Sequence, residues 1–213
     1  MHRRFAVSST ILAATAAITL AGCGSSSTSS TAPGSGTASS AAPSGAPSSP
    51  AGAAAPGPHD AADVSFATDM IPHHAQALQM ASMAVRKAAD PRVRQLARRI
   101  EGEQAPEITT MSGWLRGWGR PVPDTTMSMG GSGSTMPGMM SATDMARLDA
   151  ATGKAFDTLF LTQMITHHTG ALAMARTELA HGSNSSAKAL ATSIIAGQSR
   201  EITEMRALLH PSA

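Results

Sequence analysis

The stretch Asp63-Val-Ser-Phe-Ala-Thr-Asp-Met-Ile-Pro-His-His-Ala-Gln-Ala-Leu-Gln-Met-Ala81 decides the fold, because the chain contains it twice. It aligns without a gap to Asp157-Thr-Leu-Phe-Leu-Thr-Gln-Met-Ile-Thr-His-His-Thr-Gly-Ala-Leu-Ala-Met-Ala175, at an offset of 157 − 63 = 94, and 11 of the 19 positions are identical. The chain is therefore a duplicated unit, and a second block recurs at the same offset: Leu96, Ala97, Ile100, Gln104, Glu107, Ile108, Thr109 and Met111 return as Leu190, Ala191, Ile194, Gln198, Glu201, Ile202, Thr203 and Met205.

Each copy reads as two helices, since its apolar residues recur at spacings of three and four. We expect the first helix to bury one wide face and to leave Asp63, Ser65, Asp69, Gln76, Ser82 and Arg86 outside it. Asp90-Pro91 predicts the start of the second helix, as an N-cap followed by proline at the first helical position. The second copy predicts helices over about 154–180 and 185–209, broken at His181-Gly182-Ser183-Asn184.

Two helical hairpins that each expose an apolar face should close on each other as an all-α four-helix bundle. Its repeats are expected over about 63–115 and 157–209. Between them, a loop over about 119–141 should lead into a short helical turn at 143–152. Pro72 and Pro106 lie inside helical patterns and are expected to kink them, whereas their counterparts Thr166 and Arg200 are not.

The first 22 residues resemble a bacterial lipoprotein signal peptide. A basic start precedes an apolar run, and Leu20-Ala21-Gly22-Cys23 resembles a lipobox, which implies cleavage and lipidation at Cys23. An ordinary secretory signal with an incidental Cys23 is the alternative. Residues 23–58 are nearly all Ser, Ala, Gly, Pro and Thr, so we expect a disordered tether before a folded domain at 59–213.

Composition excludes several kinds of partner and ligand. Of the 16 basic residues, Arg3 and Arg4 belong to the signal, which leaves 14 against 14 acidic residues and no argument for nucleic-acid binding. Because Cys23 is the only cysteine, a metal ion would have to be held by His, Met or carboxylate side chains. No later run approaches the roughly 20 apolar residues that span a bilayer, so lipid would be the membrane anchor.

The duplicated His-His pairs are the main candidates for chemistry. Both pairs fall on the apolar face of their helix, and methionines lie one and two turns away. If the copies pair, imidazoles and thioethers converge in the interior, a ligand set that suits copper, as Cu(I) or Cu(II), with other transition metals possible. The predicted metal ligands are His73, His74, His167, His168, Met70, Met80, Met164 and Met174.

Four polar residues on the partner helices could assist these ligands. Glu107 and Glu201, with Gln104 and Gln198 one turn before them, could fix the imidazole tautomers or bind the ion directly. The alternative is that the histidines and methionines only pack in the core. Against it, 8 of the 19 aligned positions diverged while both His pairs did not, and buried imidazoles without partners are costly.

The loop between the repeats carries a second methionine signal. Five methionines lie among Gly, Ser, Thr and Pro, where thioethers gain little from packing. We interpret them as a capture strand for Cu(I) or Ag(I), and the alternative is a chance enrichment that folds onto the bundle. These residues are Met127, Met129, Met136, Met139 and Met140.

Other motifs are weak. Glu178-Leu-Ala-His181 has the Glu-x-x-His spacing of di-iron bundles, but those need a second copy of the motif and further carboxylates. No nucleophile elbow, P-loop or haem-attachment motif is present.

The pattern Met-Ile-x-His-His-x-x-Ala-x-x-Met-Ala, followed by a helix ending Gln-x-x-Glu-Ile-x-x-Met, resembles the bacterial Domain of Unknown Function family 305. The resemblance covers about 63–115 and 157–209. It implies a secreted, ferritin-like four-helix fold and, from a copper-binding member, a role in copper binding and tolerance. The two His pairs and nearby methionines are the carried-over candidates.

Three functions remain open from the sequence. The first hypothesis is a lipid-anchored module for copper sequestration or delivery, since ligands are visible but no nucleophile or acid/base pair is. The second is a metal-dependent oxidoreductase in the bundle core. The third is a structural or partner-binding envelope lipoprotein. The sequence identifies no protein partner.

Overall fold

The computed structural model describes residues 57–125 and 136–210. The expected signal peptide, Cys23, most of the tether, Met127 and Met129 lie outside these residues. Predictions about them are therefore not tested by the structure.

The described chain forms five helices and no strand, which confirms the all-α prediction. Two long helices come from each repeat, and the short helical turn expected before the second repeat is also present. Within residues 57–125 and 136–210, no helix is long and apolar enough to cross a membrane. The helices are α1 (Ala61–Lys87), α2 (Pro91–Gly117), α3 (Ala142–Ala150), α4 (Gly153–His181) and α5 (Ser185–Leu209).

Local sequence explains where these helices begin. The Asp60 side chain accepts hydrogen bonds from the backbone of Ala62 and Asp63 at the start of α1, and Asp90 caps α2 ahead of proline. Asn184 caps α5 in the same way. Helices α1 and α2 continue through Pro72 and Pro106.

The bundle consists of two antiparallel hairpins, α1 with α2 and α4 with α5, which meet mainly where α1 packs against α4. Its core has two parts. The first apolar cluster includes Met80, Leu96 and Phe160, and the second includes Met70 and Trp114. Along α1 the His-His pair lies between these clusters, so a polar layer divides the apolar core.

Two aspartates fasten each repeat to the other. Asp63 at the start of α1 accepts hydrogen bonds from the backbone of Ser183 and Asn184, at 3.4 and 3.0 Å. Asp157 near the start of α4 accepts from the backbone of Ala89 and Asp90, at 2.9 and 2.8 Å. Asp63 and Asp157, Ala89 and Ser183, and Asp90 and Asn184 are each 94 positions apart, so the same interaction is made twice. We call these two interactions the Asp63 clasp and the Asp157 clasp.

These contacts correct the expected surface of α1. We predicted that Asp63 and Gln76 lie outside the buried face, yet Asp63 is fully buried and Gln76 is 4% exposed. The prediction was wrong because the partners of both side chains come from distant parts of the chain. Periodicity along one helix cannot show them.

A second buried carboxyl group lies beside Asp63. Glu178 is 1% exposed, and burial together with the neighbouring Asp63 raises its pKa to about 8. Burial acts in the same direction on Asp63, but hydrogen bonds led by those from the Asp60 and Asn184 backbone outweigh it and lower the pKa of Asp63 to about 2. Near neutral pH the pair therefore carries one proton, on Glu178.

This pair predicts a pH-dependent contribution to stability. The folded-state pKa of Glu178 lies above its ordinary value, so its contribution is complete in acid and is lost as pH rises toward about 8. Glu178→Gln removes this loss. The difference between the thermal unfolding midpoints of the variant and wild type should therefore increase steadily in favour of the variant from pH 5 to pH 8. Circular dichroism would measure both midpoints.

Glu101→Gln, at a half-exposed carboxyl of α2, is the matched control and should show a smaller trend. A difference between Glu178→Gln and wild type that stays constant across this range would contradict the raised pKa of Glu178.

Candidate metal centre

The four histidines of the duplicated pairs lie at the middle of α1 and α4, and each is fully buried. The rings of His73 and His167 are in contact at the helix crossing, with centroids 3.8 Å apart and planes tilted by 36°. His167 and His168 have ring centroids 6.3 Å apart. We call these four side chains the histidine layer.

The outer two histidines are bonded to carboxylates of the same hairpin. His74 Nε2 lies 2.7 Å from Glu107 Oε2, and His168 Nε2 lies 2.7 Å from Glu201 Oε2. A carboxylate accepts, so each Nε2 carries the proton and each Nδ1 keeps a lone pair if the ring is neutral. This geometry supports the predicted role of both glutamates in fixing the imidazole tautomers.

The inner two histidines differ from each other. His73 Nε2 donates a hydrogen bond to the carbonyl oxygen of Pro137 at 3.1 Å, which again leaves a lone pair on Nδ1. His167 has no hydrogen-bond partner at either ring nitrogen among the described residues. A hydrogen bond therefore orients the ring of His73, whereas none from the described chain orients the ring of His167.

Both inner imidazoles are neutral at physiological pH. Burial, reinforced by His74, lowers the pKa of His73 to about 3. Burial, reinforced by His73 and His168, lowers the pKa of His167 well below its ordinary range. Neutral imidazole is the form that binds metal ions, so these rings are held in the binding form without a metal.

The ring nitrogens fit a soft or intermediate metal ion. Besides both nitrogens of His167, the Nδ1 atoms of the other three histidines are buried without partners, and such atoms destabilise the folded state unless a ligand satisfies them. Imidazole lone pairs lie in the ring plane, so an ion would bind at the edges of the two inner rings. Among the described residues no three His, Cys, Asp or Glu side chains form a ready metal site.

Methionine is the other available ligand type, and it occurs on both sides of the layer. Met80 and Met164 are fully buried in the first apolar cluster. Met70 is fully buried in the second, and the half-buried Met174 packs against it. All four therefore pack in or against the core.

The far ends of the two His–Glu pairs reach a groove between α2 and α5 of about 350 Å³. Gln104 and Gln198 line it, and both amide atoms of Gln104 are buried without partners. Sequence reasoning missed Glu103 here. Burial and then Glu201 and Glu107 raise the pKa of Glu103, and its counterpart in the second repeat is Gly197.

The described end of the methionine loop lies against the histidine layer. We call residues 136–140 the strap. Its Met136, Met139 and Met140 are half-buried, and Met140 packs against the first apolar cluster. The strap is docked on the bundle, a placement that the sequence analysis held open as the alternative, and metal capture by its methionines stays a prediction. Sequence periodicity gave no signal for the Pro137 contact with His73.

The Glu-x-x-His motif serves a different purpose. Glu178 is buried beside Asp63, which helps to raise its pKa, whereas His181 is exposed at the end of α4. The two residues of the motif therefore lie in different environments, one buried beside Asp63 and one exposed.

Fold and site together define a class of small helical proteins in which a duplicated hairpin encloses a layer of paired histidines. The sequence profile of the family described as Domain of unknown function (DUF305) matches residues 63–209, and the chain belongs to this family. A comparison with curated proteins found no match.

Solved structures of DUF305 proteins also match this chain. A DUF305 protein from Streptomyces coelicolor is 36% identical, with 70% of this chain and 90% of that chain covered and a TM-score of 0.62. A DUF305 fragment from Deinococcus radiodurans is 31% identical, with 72% and 98% covered and a TM-score of 0.63.

The protein CopM, solved in a Cu(II)-bound form, is 37% identical, with 69% of this chain and 95% of that chain covered and a TM-score of 0.61. CopM has also been solved in Cu(I)-bound and Ag-bound forms.

The unpartnered nitrogens of His167 predict an unusual mutational effect. His167→Leu replaces a buried polar ring by an apolar side chain of similar size and so removes two unsatisfied nitrogens. It should therefore stabilise the metal-free protein by about 1–3 kcal/mol. The folded-state pKa of His167 is depressed, so wild type loses stability as pH falls below about 6.5. The advantage of the variant should therefore grow from pH 7 to pH 5 in denaturant unfolding.

His168→Leu is the matched control in the adjacent residue. It leaves the buried Glu201 carboxylate without its partner and should destabilise the protein. If His167→Leu were also destabilising throughout this range, the His167 ring would have to make favourable contacts that outweigh its unsatisfied nitrogens.

Proposed function

We propose that this chain is a lipid-anchored, extracytoplasmic protein that binds copper for sequestration or delivery. One observation carries the proposal. His73 and His167 lie in contact, fully buried and held neutral, with three of their four ring nitrogens lacking a partner. A protein that used these residues only for packing would be more stable with apolar side chains in the same places.

Copper is favoured by the ligand types. The inner histidines offer imidazole nitrogen, and the surrounding core offers thioether sulfur, a combination that suits Cu(I) particularly well. Imidazole also binds other divalent transition metals, so the proposal concerns preference. The relationship to CopM, solved with Cu(II), Cu(I) and silver, supports the same class of ion.

Each part of the layer has a separate role in this proposal. His73 and His167 are the primary ligands, completed by thioethers from Met70, Met80, Met164, Met174 or the loop. Glu107 and Glu201 orient His74 and His168 and thereby join the two helices of each hairpin. Gln104 and Gln198 line the groove behind the carboxylates.

The location outside the cytoplasm rests on the sequence. Leu20-Ala21-Gly22-Cys23 resembles a lipobox, and the segment to residue 58 has the composition of a tether. The Streptomyces coelicolor relative is described, provisionally, as secreted, which supports this location. The lipid anchor would hold the bundle at the extracytoplasmic face of the cell membrane.

The central prediction concerns the inner histidines. Replacing both His73 and His167 with Ala should weaken Cu(I) binding by at least about tenfold, or roughly 1.4 kcal/mol. The reason is that both primary nitrogen ligands are lost. Affinity would be measured by competition with a chromogenic Cu(I) chelator.

The exposed His181 and His210 provide the control, because their replacement with Ala removes two imidazoles outside the layer. A folded His73/His167 double variant that binds Cu(I) as tightly as wild type would show that the layer is a packing feature.

The loop methionines give a second prediction. Replacing Met127, Met129, Met136, Met139 and Met140 with Leu should weaken Ag(I) and Cu(I) binding and leave Cu(II) binding nearly unchanged, because leucine has no soft donor atom. Leucine keeps the apolar volume of Met140, so the unfolding midpoint without metal should change little. Isothermal titration with Ag(I) and thermal unfolding measure the two effects.

Met83→Leu is the matched control, since Met83 is half-buried against the first apolar cluster and is not a proposed ligand. Strong destabilisation of the five-residue variant with unaltered Ag(I) binding would assign these methionines to packing.

A further inference from the structure

The strap is held at both ends by side-chain contacts with α1. The buried Gln76 amide makes two hydrogen bonds with the backbone of Met140: its Nε2 donates to the carbonyl oxygen at 2.9 Å, and its Oε1 accepts from the amide at 2.7 Å. Pro137 accepts the hydrogen bond from His73 three residues earlier. The strap is therefore attached at the histidine layer and one turn beyond it.

Two glycines allow the strap to contact α4 backbone to backbone. A Cβ atom on Gly170 would lie 1.8 Å from the carbonyl oxygen of Pro137, an impossible overlap. A Cβ atom on Gly138 would lie 2.6 Å from the carbonyl oxygen of Thr166 and 2.9 Å from that of His167. Gly138 also has a φ of +82°, which other residues rarely adopt. The fit leaves no room for any side chain at either position.

Gln76 and Gly170 occupy the same position in the two repeats, 94 residues apart. This is one of the positions at which the repeats differ, and each version serves the strap. In the first repeat, Gln76 forms hydrogen bonds with the strap. In the second, Gly170 has no side chain and lets the strap backbone approach α4. The repeats therefore differ at this position because both residues contact the strap, which is a single segment without a second copy.

The strap makes the two inner histidines chemically different. A carbonyl oxygen can only accept a hydrogen bond, so Pro137 fixes His73 as the Nε2–H tautomer with its lone pair on Nδ1. His167 has no such constraint. Three thioethers lie within three residues of Pro137, and the strap covers the side of the layer where α1 meets α4.

We propose that the strap sets the selectivity of the histidine layer, by fixing the His73 tautomer and closing this side with soft ligands, so that Ag(I) and Cu(I) bind in preference to Cu(II). Cu(II) favours four or more nitrogen and oxygen ligands in a tetragonal arrangement, which commonly includes water. A closed layer with one imidazole nitrogen already committed disfavours that arrangement. Monovalent soft ions accept fewer ligands and take thioethers readily. This inference rests on the proposed metal-binding function.

Gly170→Ala tests the inference without changing any ligand. The added methyl group should displace the strap, and the ratio of Ag(I) affinity to Cu(II) affinity should fall at least about tenfold in titrations of the full folded domain. In the metal-free protein, ¹⁵N NMR should show His73 as the Nε2–H tautomer in wild type and a loss of that fixed tautomer in the variant.

Gly113→Ala is the matched control, because Gly113 also lies in a helix but has nothing within 4 Å of the added methyl group. It should leave both the affinity ratio and the tautomer unchanged. Gln76→Leu provides a second displacement of the strap, through its other attachment, and should reproduce the effect of Gly170→Ala if that variant folds poorly.

The outcomes separate the two proposals. If wild type binds neither Ag(I) nor copper, the metal-binding function fails and the selectivity fails with it. If wild type binds Ag(I) tightly but Gly170→Ala and Gln76→Leu keep the wild-type affinity ratio, the strap does not determine selectivity, while the metal-binding function stands.

Discussion

The contact between the His73 and His167 rings is the interaction around which the rest of the bundle is arranged. Two neutral imidazoles are packed at the centre of the α1–α4 crossing with most of their ring nitrogens unsatisfied. This arrangement costs stability, and apolar clusters on both sides supply the burial that offsets it. The two carboxylate-bonded histidines beside them add polar cross-links within each hairpin. A ligand that satisfies the open nitrogens is the simplest reason to retain such a centre.

The duplication explains why the same contacts occur in pairs. His74 with Glu107 matches His168 with Glu201, and the Asp63 clasp matches the Asp157 clasp. Each clasp joins one repeat to the turn of the other, so neither hairpin completes its own polar contacts. The two repeats therefore depend on each other in the way that two subunits of a symmetric dimer do. The inner histidines lie where the two halves meet.

Much of this was predictable from the sequence, and the failures have a common cause. Apolar spacing and the Asp-Pro signal predicted the long helices because those features are local to one helix. The convergence of the His pairs followed from the duplication. Asp63 and Gln76 were misjudged because their partners are a turn in the other repeat and the strap. Gly138 and Gly170 resemble ordinary loop and helix glycines until the strap is seen against α4.

Two departures from symmetry lie beside the histidine layer, where they make its two sides different. At position 76 and its equivalent 170, the repeats diverged to dock the strap over the α1–α4 side. At position 103 and its equivalent 197, a glutamate faces a glycine in the groove between α2 and α5. One side is thus covered by the backbone of the strap, and the other is lined by carboxylates. A perfectly symmetric bundle would surround both inner histidines with the same groups. Because the repeats differ where the strap docks, His73 has a hydrogen-bond partner and His167 has none among the described residues.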